Sequence, residues 1–325
     1  MKANRISRRR FLSEVALASL ALERGASAVS TDRPKYKYID IHTHLGTFYW
    51  GKELTADELV RMMDEHAIER ACVLPLVSPE SSPYLQTTEA ALAACKRFPD
   101  RLIPFCCVDP RGSTTNPKRY GHVAGVAGLK EILKRYVDAG ARGVGEHKVG
   151  LPFDHPQMMQ FYEACDALGL PILFHLDDIR SFDTPGLARL ENVLKNFPNL
   201  ILIGHAAGFW ASISGDATIE DFGRYPQVPT LTVPGGALDR LMAKYPNLHG
   251  DLSEPGGEKA IARDLKFGRE FLIRRAGQLL FGTDFLMPAQ QIAQFKLFES
   301  LDLPDDVKYK IYRGNAIRIL KLRIK

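Results

Sequence analysis

The chain has 325 residues, a hydrophobic fraction of 45%, a charged fraction of 25% and a formal net charge of +5. Such a length suits one large domain, and α/β barrels of about 250 residues commonly run as one. No apolar run approaches the roughly 18 residues of a membrane-spanning helix, so a transmembrane protein is not expected.

Taken in chain order, the first 28 residues read as a leader. Ser7-Arg8-Arg9-Arg10-Phe11-Leu12 resembles the twin-arginine export signal, an apolar stretch runs from Val15 to Leu22, and Ala26-Ser27-Ala28 offers a cleavage site. The resemblance implies export of an already folded protein to the periplasm or cell exterior, leaving residues 29–325 as a single domain. The leader carries six basic and two acidic side chains, so it holds +4 of the formal +5 and the mature chain is near +1. A pI near 8.9 then says little about nucleic acid, whose binding needs a concentrated basic surface. The five cysteines, Cys72, Cys95, Cys106, Cys107 and Cys165, show no disulfide spacing and mostly sit in apolar patterns, where a thiol packs as a small hydrophobe.

Beyond the leader, short β-rich runs alternate with amphipathic helical patterns, the signature of a parallel α/β architecture. A first strand is expected at about Tyr38 to His44, then a helix opened by the capping box Thr55/Glu58. Strands two and three fall near Ala71–Leu76 and Leu102–Val108. A helix over Ala127–Ala139 ends at Gly140, and strand four is about Gly143–Lys148. The next helix places Met158, Phe161, Tyr162, Cys165 and Leu168 on one face and ends at Gly169. Strand five is Pro171–Leu176. Thr184-Pro185 reads as the start of the helix carrying Leu187, Leu190, Leu194 and Phe197. Strand six is Leu200–Ile203, followed by a long irregular segment over 206–233 of the kind that is usually functional. Strands seven and eight are Leu248–Leu252 and Leu279–Phe281, and helices near Ala289–Glu299 and from Asp305 onward close the chain. Eight strands, most followed by a helix, count out a (β/α)8 TIM barrel.

Barrel active sites lie at the C-terminal ends of the strands, so the residues that end each strand carry the argument. Strand one ends Asp40-Ile41-His42-Thr43-His44. Alternation puts His42 and His44 on one face, about 6.5–7 Å apart at Cα, a spacing that suits chelation of a divalent ion. Strand five ends at His175, strand six at His205, and strand eight runs Phe281-Gly282-Thr283-Asp284.

His42-Thr43-His44, His175, His205 and Asp284 together resemble the metal centre of the amidohydrolase superfamily, over about residues 36–320. Leu202-Ile203-Gly204-His205-Ala206-Ala207 and Leu280-Phe281-Gly282-Thr283-Asp284 are most similar to its amidohydrolase-related branch. The resemblance implies one or two divalent ions, zinc by preference. It makes His42 and His44 ligands of the more buried ion and His175 a further ligand. Asp284 becomes a ligand that also takes a proton from bound water. His205 either holds a second ion or polarises the substrate. Bound zinc lowers the pKa of water towards about 7, and a carboxylate beside it shuttles the proton.

Strand four separates one ion from two. Family members place a carbamylated Lys or a Glu there, and this chain reads Gly143-Val144-Gly145-Glu146-His147-Lys148. Glu146 either bridges two ions or forms a structural pair with Lys148, and Lys148 alternatively binds an anionic group of the substrate. His147 points the other way. Trp210 either forms a pocket wall, as a candidate substrate contact, or packs its loop down, and Ser253 is a candidate substrate-pocket residue. Asp251 either lines the pocket or bonds backbone at its rim. Asp40 is a candidate acceptor for a ligand imidazole. His66, His122, His155 and His249 read as surface or packing histidines.

The expected function is hydrolysis of an ester, lactone or amide bond of a small molecule by metal-activated water. The alternative is metal-dependent, non-oxidative decarboxylation of an aromatic or unsaturated acid. A nuclease similar to the TatD type shares the Glu but lacks a basic, aromatic-rich strip. A non-catalytic binding protein is disfavoured by the presence of Asp284. A small-molecule substrate is the expected partner, with no nucleic acid, and self-association stays open.

Overall fold

A computed structural model describes residues 37–49, 51–114 and 125–324; the expected leader over residues 1–28 and His122 lie outside them. The chain runs β1 Tyr38–Thr43, α1 Ala56–Glu65, β2 Ile68–Val73, α2 Thr88–Arg97, β3 Leu102–Pro104, α3 Gly125–Asp138, β4 Val144–His147, α4 Pro156–Leu168, β5 Ile172–His175, α5 Ala188–Asn196 and β6 Leu202–His205. It continues with α6 Ala207–Ala211, α7 Ala237–Lys244, β7 Leu248–Asp251, α8 Glu254–Ala262, α9 Leu265–Arg274, β8 Leu279–Leu280, α10 Ala293–Ser300, α11 Asp305–Tyr309 and α12 Asn315–Ile319.

All the strand pairings are parallel, in the orders β1-β2-β3 and β4-β5-β6-β7-β8. Two seams close the ring. The Cys106 amide donates to the Gly143 carbonyl and the Gly145 amide donates to Cys106. On the other side the Ile41 amide donates to Phe281, and the Asp284 amide donates to His42. The result is the eight-stranded barrel expected from the strand count, with no helix among the described residues long and apolar enough to cross a membrane.

The floor of the barrel is apolar. Ile39, Ile41, Cys72, Leu74, Ile103, Phe105, Leu173, Ile203 and Leu280 pack together with Ala316, Ile319 and Leu320 near the chain's end. A fully buried Leu or Ile contributes roughly 1.5–3 kcal/mol, so this plug fixes the strands from below. All five cysteines are buried and unpaired.

Several elements depart from the sequence expectation for local reasons. The capping box at Thr55 and Glu58 forms as expected. Helix α5, however, starts at Ala188 and not at Thr184-Pro185. The Asp183 carboxylate supplies the cap by accepting the amides of Thr184, Arg189 and Leu190. The segment 206–233 is not irregular throughout, since α6 and a 3-10 turn over Ile219–Gly223 stiffen it. Helices α8 and α9 between β7 and β8 were hidden by the Pro255-Gly256-Gly257 run, which reads as a breaker.

Two strands break the strict alternation of side chains. In β1 the pairing with β2 shifts register between Asp40 and Thr43, so Ile41 joins the barrel floor and His42 still turns into the layer above it. In β4 the register with β5 shifts between Val144 and His147, so Val144 packs outward and Glu146 turns inward. Irregularities of this kind re-aim side chains near active sites. Gly145 makes the second one feasible: its φ is +148°, and a Cβ there would lie 2.6 Å from the Leu173 carbonyl oxygen. His147 faces the helix layer, stacked on Phe161 at 4.3 Å, and burial pushes its imidazole down to about 4.

Candidate metal centre

The polar side chains that end the strands converge on the upper barrel interior. His42 and His44 come from β1, Glu146 from β4, His175 from β5, His205 from β6 and Asp284 from just beyond β8; all are buried. These six residues are the ones expected to bind metal, and the fold brings them together in three overlapping groups.

His42 and His44 set the geometry. The Leu74 carbonyl lies 2.8 Å from His44 Nδ1, and a carbonyl only accepts, so that nitrogen carries the proton. Asp251 Oδ2 lies 2.7 Å from His42 Nδ1. The two Nε2 atoms therefore turn towards each other, 3.1 Å apart. Glu146 Oε2 lies 3.6 and 3.3 Å from them, and Asp284 Oδ1 lies 3.4 Å from both. Glu146 Oε2 and Asp284 Oδ1 are buried without a hydrogen-bond partner. Four donors around a zinc ion with bonds near 2.1 Å stand about 3.4 Å apart at tetrahedral edges. The donor set therefore fits a divalent ion, which would also satisfy the buried Asp284 oxygen.

The other side of Glu146 faces the remaining histidines. Its Oε1 is 2.6 Å from His175 Nδ1 and 3.6 Å from His205 Nε2. His175 Nε2 meets Asp177 Oδ2 at 2.9 Å and Arg180 Nη1 at 3.1 Å. Lys148 Nζ lies 2.7 Å from Glu146 Oε2, off the hydrogen-bonding direction, and so makes an ion pair. Asp177 and Arg180 are site residues that sequence reasoning missed. The signal was present in Leu176-Asp177-Asp178-Ile179-Arg180, directly after the His that ends β5.

Charge follows from these contacts. Burial opposes the ionised form of Glu146, but Lys148 and the imidazoles outweigh it and hold the carboxyl well below the carboxylate range. Asp284 is likewise lowered against burial by His42 and His44. Burial lowers His42, but Asp284, Asp251 and Glu146 together raise it well above an ordinary imidazole. Asp177 is pulled down to about 2 by His175 and Arg180 despite its burial.

A cavity of about 840 Å³ opens above the centre, reached by His44, Lys148, His175, His205 and Asp284. Phe48, stacked on Tyr84 at 5.3 Å, forms an aromatic wall, and Phe222 and Tyr225 come from the 206–233 segment.

Three substrate or support expectations are corrected. Trp210 does not line the cavity: it is fully buried, edge-on to Phe209, and its indole N–H donates to the Asp251 carbonyl at 2.9 Å. Ser253 is also buried away from the cavity, with its hydroxyl 2.6 Å from Asp251 Oδ2. Asp40 accepts the His42 amide and the Thr283 amide and hydroxyl, tying β1 to β8, and touches no imidazole. Lys148 lines the cavity while paired with Glu146. Among the other histidines, His66 stacks on Phe295, His155 caps α4 and His249 is buried in β7. If Trp210 is a packing residue, Trp210→Ala costs about 3–5 kcal/mol of stability. Urea denaturation of the full chain measures it, and a variant as stable as the parent would return Trp210 to the list of surface contacts.

The amidohydrolase family profile matches residues 39–322 of the chain. No curated protein matches it. Among solved structures, an uncharacterised TIM-barrel protein from Bordetella bronchiseptica is similar with a TM-score of 0.61 and 16% identity, over 87% of this chain and 98% of that one. A putative 2-pyrone-4,6-dicarboxylic acid hydrolase from Pseudomonas putida matches with a TM-score of 0.60 and 13% identity, over 89% and 99%. A dihydroxybenzoic acid decarboxylase from Polaromonas with bound manganese matches with a TM-score of 0.54 and 18% identity, over 89% and 98%. At such identities the likeness is one of fold.

Proposed function

This chain belongs to the amidohydrolase family, and from that premise we propose that it is a hydrolase holding one divalent ion, zinc, and acting on an ester, lactone or amide bond of a small molecule. The carrying observation is Asp284 Oδ1, an ionised, buried oxygen without a hydrogen-bond partner, 3.4 Å from both His42 Nε2 and His44 Nε2. His42, His44, Glu146 and Asp284 would hold a divalent ion there, whose chemistry would be to bring the pKa of water towards about 7 and to polarise a carbonyl. The Asp284 carboxylate would accept the water's proton and pass it to the leaving group. Lys148, at the cavity edge, offsets the charge of Glu146 from 2.7 Å at Oε2.

Charge balance supports a single ion. Four carboxylates touch the centre, Glu146, Asp177, Asp251 and Asp284, against the cations Lys148 and Arg180. One divalent ion neutralises the difference, whereas two leave a buried excess of positive charge. Two imidazole nitrogens among the donors support zinc over magnesium or calcium, which prefer all-oxygen ligands.

A one-ion centre also supports the second reading, decarboxylation of an aromatic or unsaturated acid. Hydrolysis leads because the carboxylates around the ion are held ionised, as proton acceptors and not donors. The zinc-loaded protein, offered esters, lactones, amides and aromatic acids in 18O water, is expected to place solvent oxygen in its product. Release of carbon dioxide with no solvent oxygen in the product would sink the hydrolytic reading and establish the second.

A further inference from the structure

We infer that Asp251 is a positioning residue which sets His42 and His205 to the same tautomer, with both Nε2 lone pairs turned into the metal centre. For its consequence on metal affinity, this rests on the reading that His42 holds an ion.

A single carboxylate oxygen does this. Asp251 ends β7, is fully buried, and its Oδ2 lies 2.7 Å from His42 Nδ1 and 3.0 Å from His205 Nδ1. The Ser253 hydroxyl donates to the same oxygen at 2.6 Å, which leaves its own oxygen to accept from His205 Nδ1 at 3.2 Å, and the Ser253 amide donates to Oδ1 at 3.0 Å. An ionised carboxylate is acceptor-only. Either imidazole turning an Nδ1 lone pair to that oxygen would set two buried acceptors against each other, a large penalty in a low-dielectric interior. Both rings must therefore carry their proton on Nδ1. His42 Nε2 then faces His44 Nε2 at 3.1 Å, and His205 Nε2 faces Glu146 Oε1 at 3.6 Å.

The surroundings hold the carboxylate in place. The Trp210 indole donates to the Asp251 carbonyl. Across the seam, Gly282 of the segment after β8 leaves room for the carboxylate, since a Cβ there would come within 2.4 Å of Asp251 Oδ1. Two rings from different strands, β1 and β6, are thus oriented by one group on a third, and the neighbouring ring centroids lie 4.5 Å apart. Outer hydrogen-bond partners of ligand imidazoles typically change metal affinity by about 10–100-fold.

Asp251→Asn keeps the shape and removes the second acceptor role. With its carbonyl oxygen accepting the Ser253 amide, its NH2 stands where Oδ2 stood and turns donors to both rings, which favours the Nε2–H tautomer at each. The test uses the metal-free full chain with 15N-labelled histidine, at a pH alkaline enough that the raised His42 imidazole is neutral and carries a single N–H. Long-range 1H–15N spectra of the parent protein are expected to show Nδ1–H at both His42 and His205. In Asp251→Asn both are expected to switch, and titration with Zn2+ is expected to give an affinity about 10–100-fold weaker. An Nε2–H tautomer at either ring of the parent overturns the inference, whether or not the protein binds zinc. So does an Asp251→Asn protein with unchanged tautomers. A parent protein with the expected tautomers and no affinity for Zn2+ would instead overturn the metal-dependent reading and leave the positioning role of Asp251 standing.

Discussion

Asp284→Asn is expected to lower kcat by about three orders of magnitude, within the range of about 10²–10⁴ for loss of a general acid–base group. The reason lies in one oxygen. Asp284 Oδ1 is buried without a hydrogen-bond partner and faces the Nε2 atoms of His42 and His44 at equal distance. The imidazoles hold its carboxyl below the usual carboxylate range, against the effect of burial, so it is ionised at neutral pH and ready to take a proton. Asparagine matches its shape but carries no charge and accepts no proton in water-activated hydrolysis. Because Asp284 also stands among the metal donors, the measurement is kcat at saturating Zn2+, with metal content determined on the same sample. A metal-replete Asp284→Asn protein with unchanged kcat would remove Asp284 as the base.

Removal of the ion is expected to have the second large effect. Dialysis against a chelator should bring activity to background, and one equivalent of Zn2+ should restore it. Stability should fall as well. An ion present at a thousand times its dissociation constant stabilises the folded state by about 4 kcal/mol, and His42 and His44 meet Glu146 and Asp284 only in the folded barrel. The number of equivalents is set by Lys148. Its ammonium sits 2.7 Å from Glu146 Oε2, so it already supplies part of the positive charge that the carboxylates need. In Lys148→Met that charge is gone, and Glu146 Oε1, His175 and His205 face one another as a second donor group. Elemental analysis should therefore find about one zinc in the parent chain and more than one in Lys148→Met. Two equivalents in the parent would contradict the charge balance argued for Glu146, Asp177, Asp251 and Asp284.

The aromatic wall at Phe48 and Tyr84 and the partly basic rim at Arg180 give the cavity its character. They come from loops after different strands, so changes in loop sequence alter the pocket without disturbing the donors beneath it. The floor cluster below the donors separates binding from folding in the same way.

Much of this architecture was legible in the chain itself. The eight strands were marked by apolar runs with turn signals, and a residue's place at the end of such a run is local information. That is why His42, His44, His175, His205 and Asp284 were all identified, and why the Thr55/Glu58 capping box formed where it was read. What required tertiary structure was everything that depends on neighbours across the barrel. Strict alternation from Val144 would turn Glu146 outward; the register shift in β4, accommodated by Gly145 against the Leu173 carbonyl, turns it inward. Trp210 and Ser253 sat in segments that suggested a pocket wall, yet the fold buries both behind the centre, against Asp251. Asp251 itself contacts His42 from 209 positions away, a proximity that no local pattern encodes. The sequence alone determined which donors stand at the strand ends, because strand periodicity and chain order are local. Only the closed barrel decided which way each donor faces and which carboxylate orients it, because hydrogen-bond partners and charge balance are properties of the assembled interior.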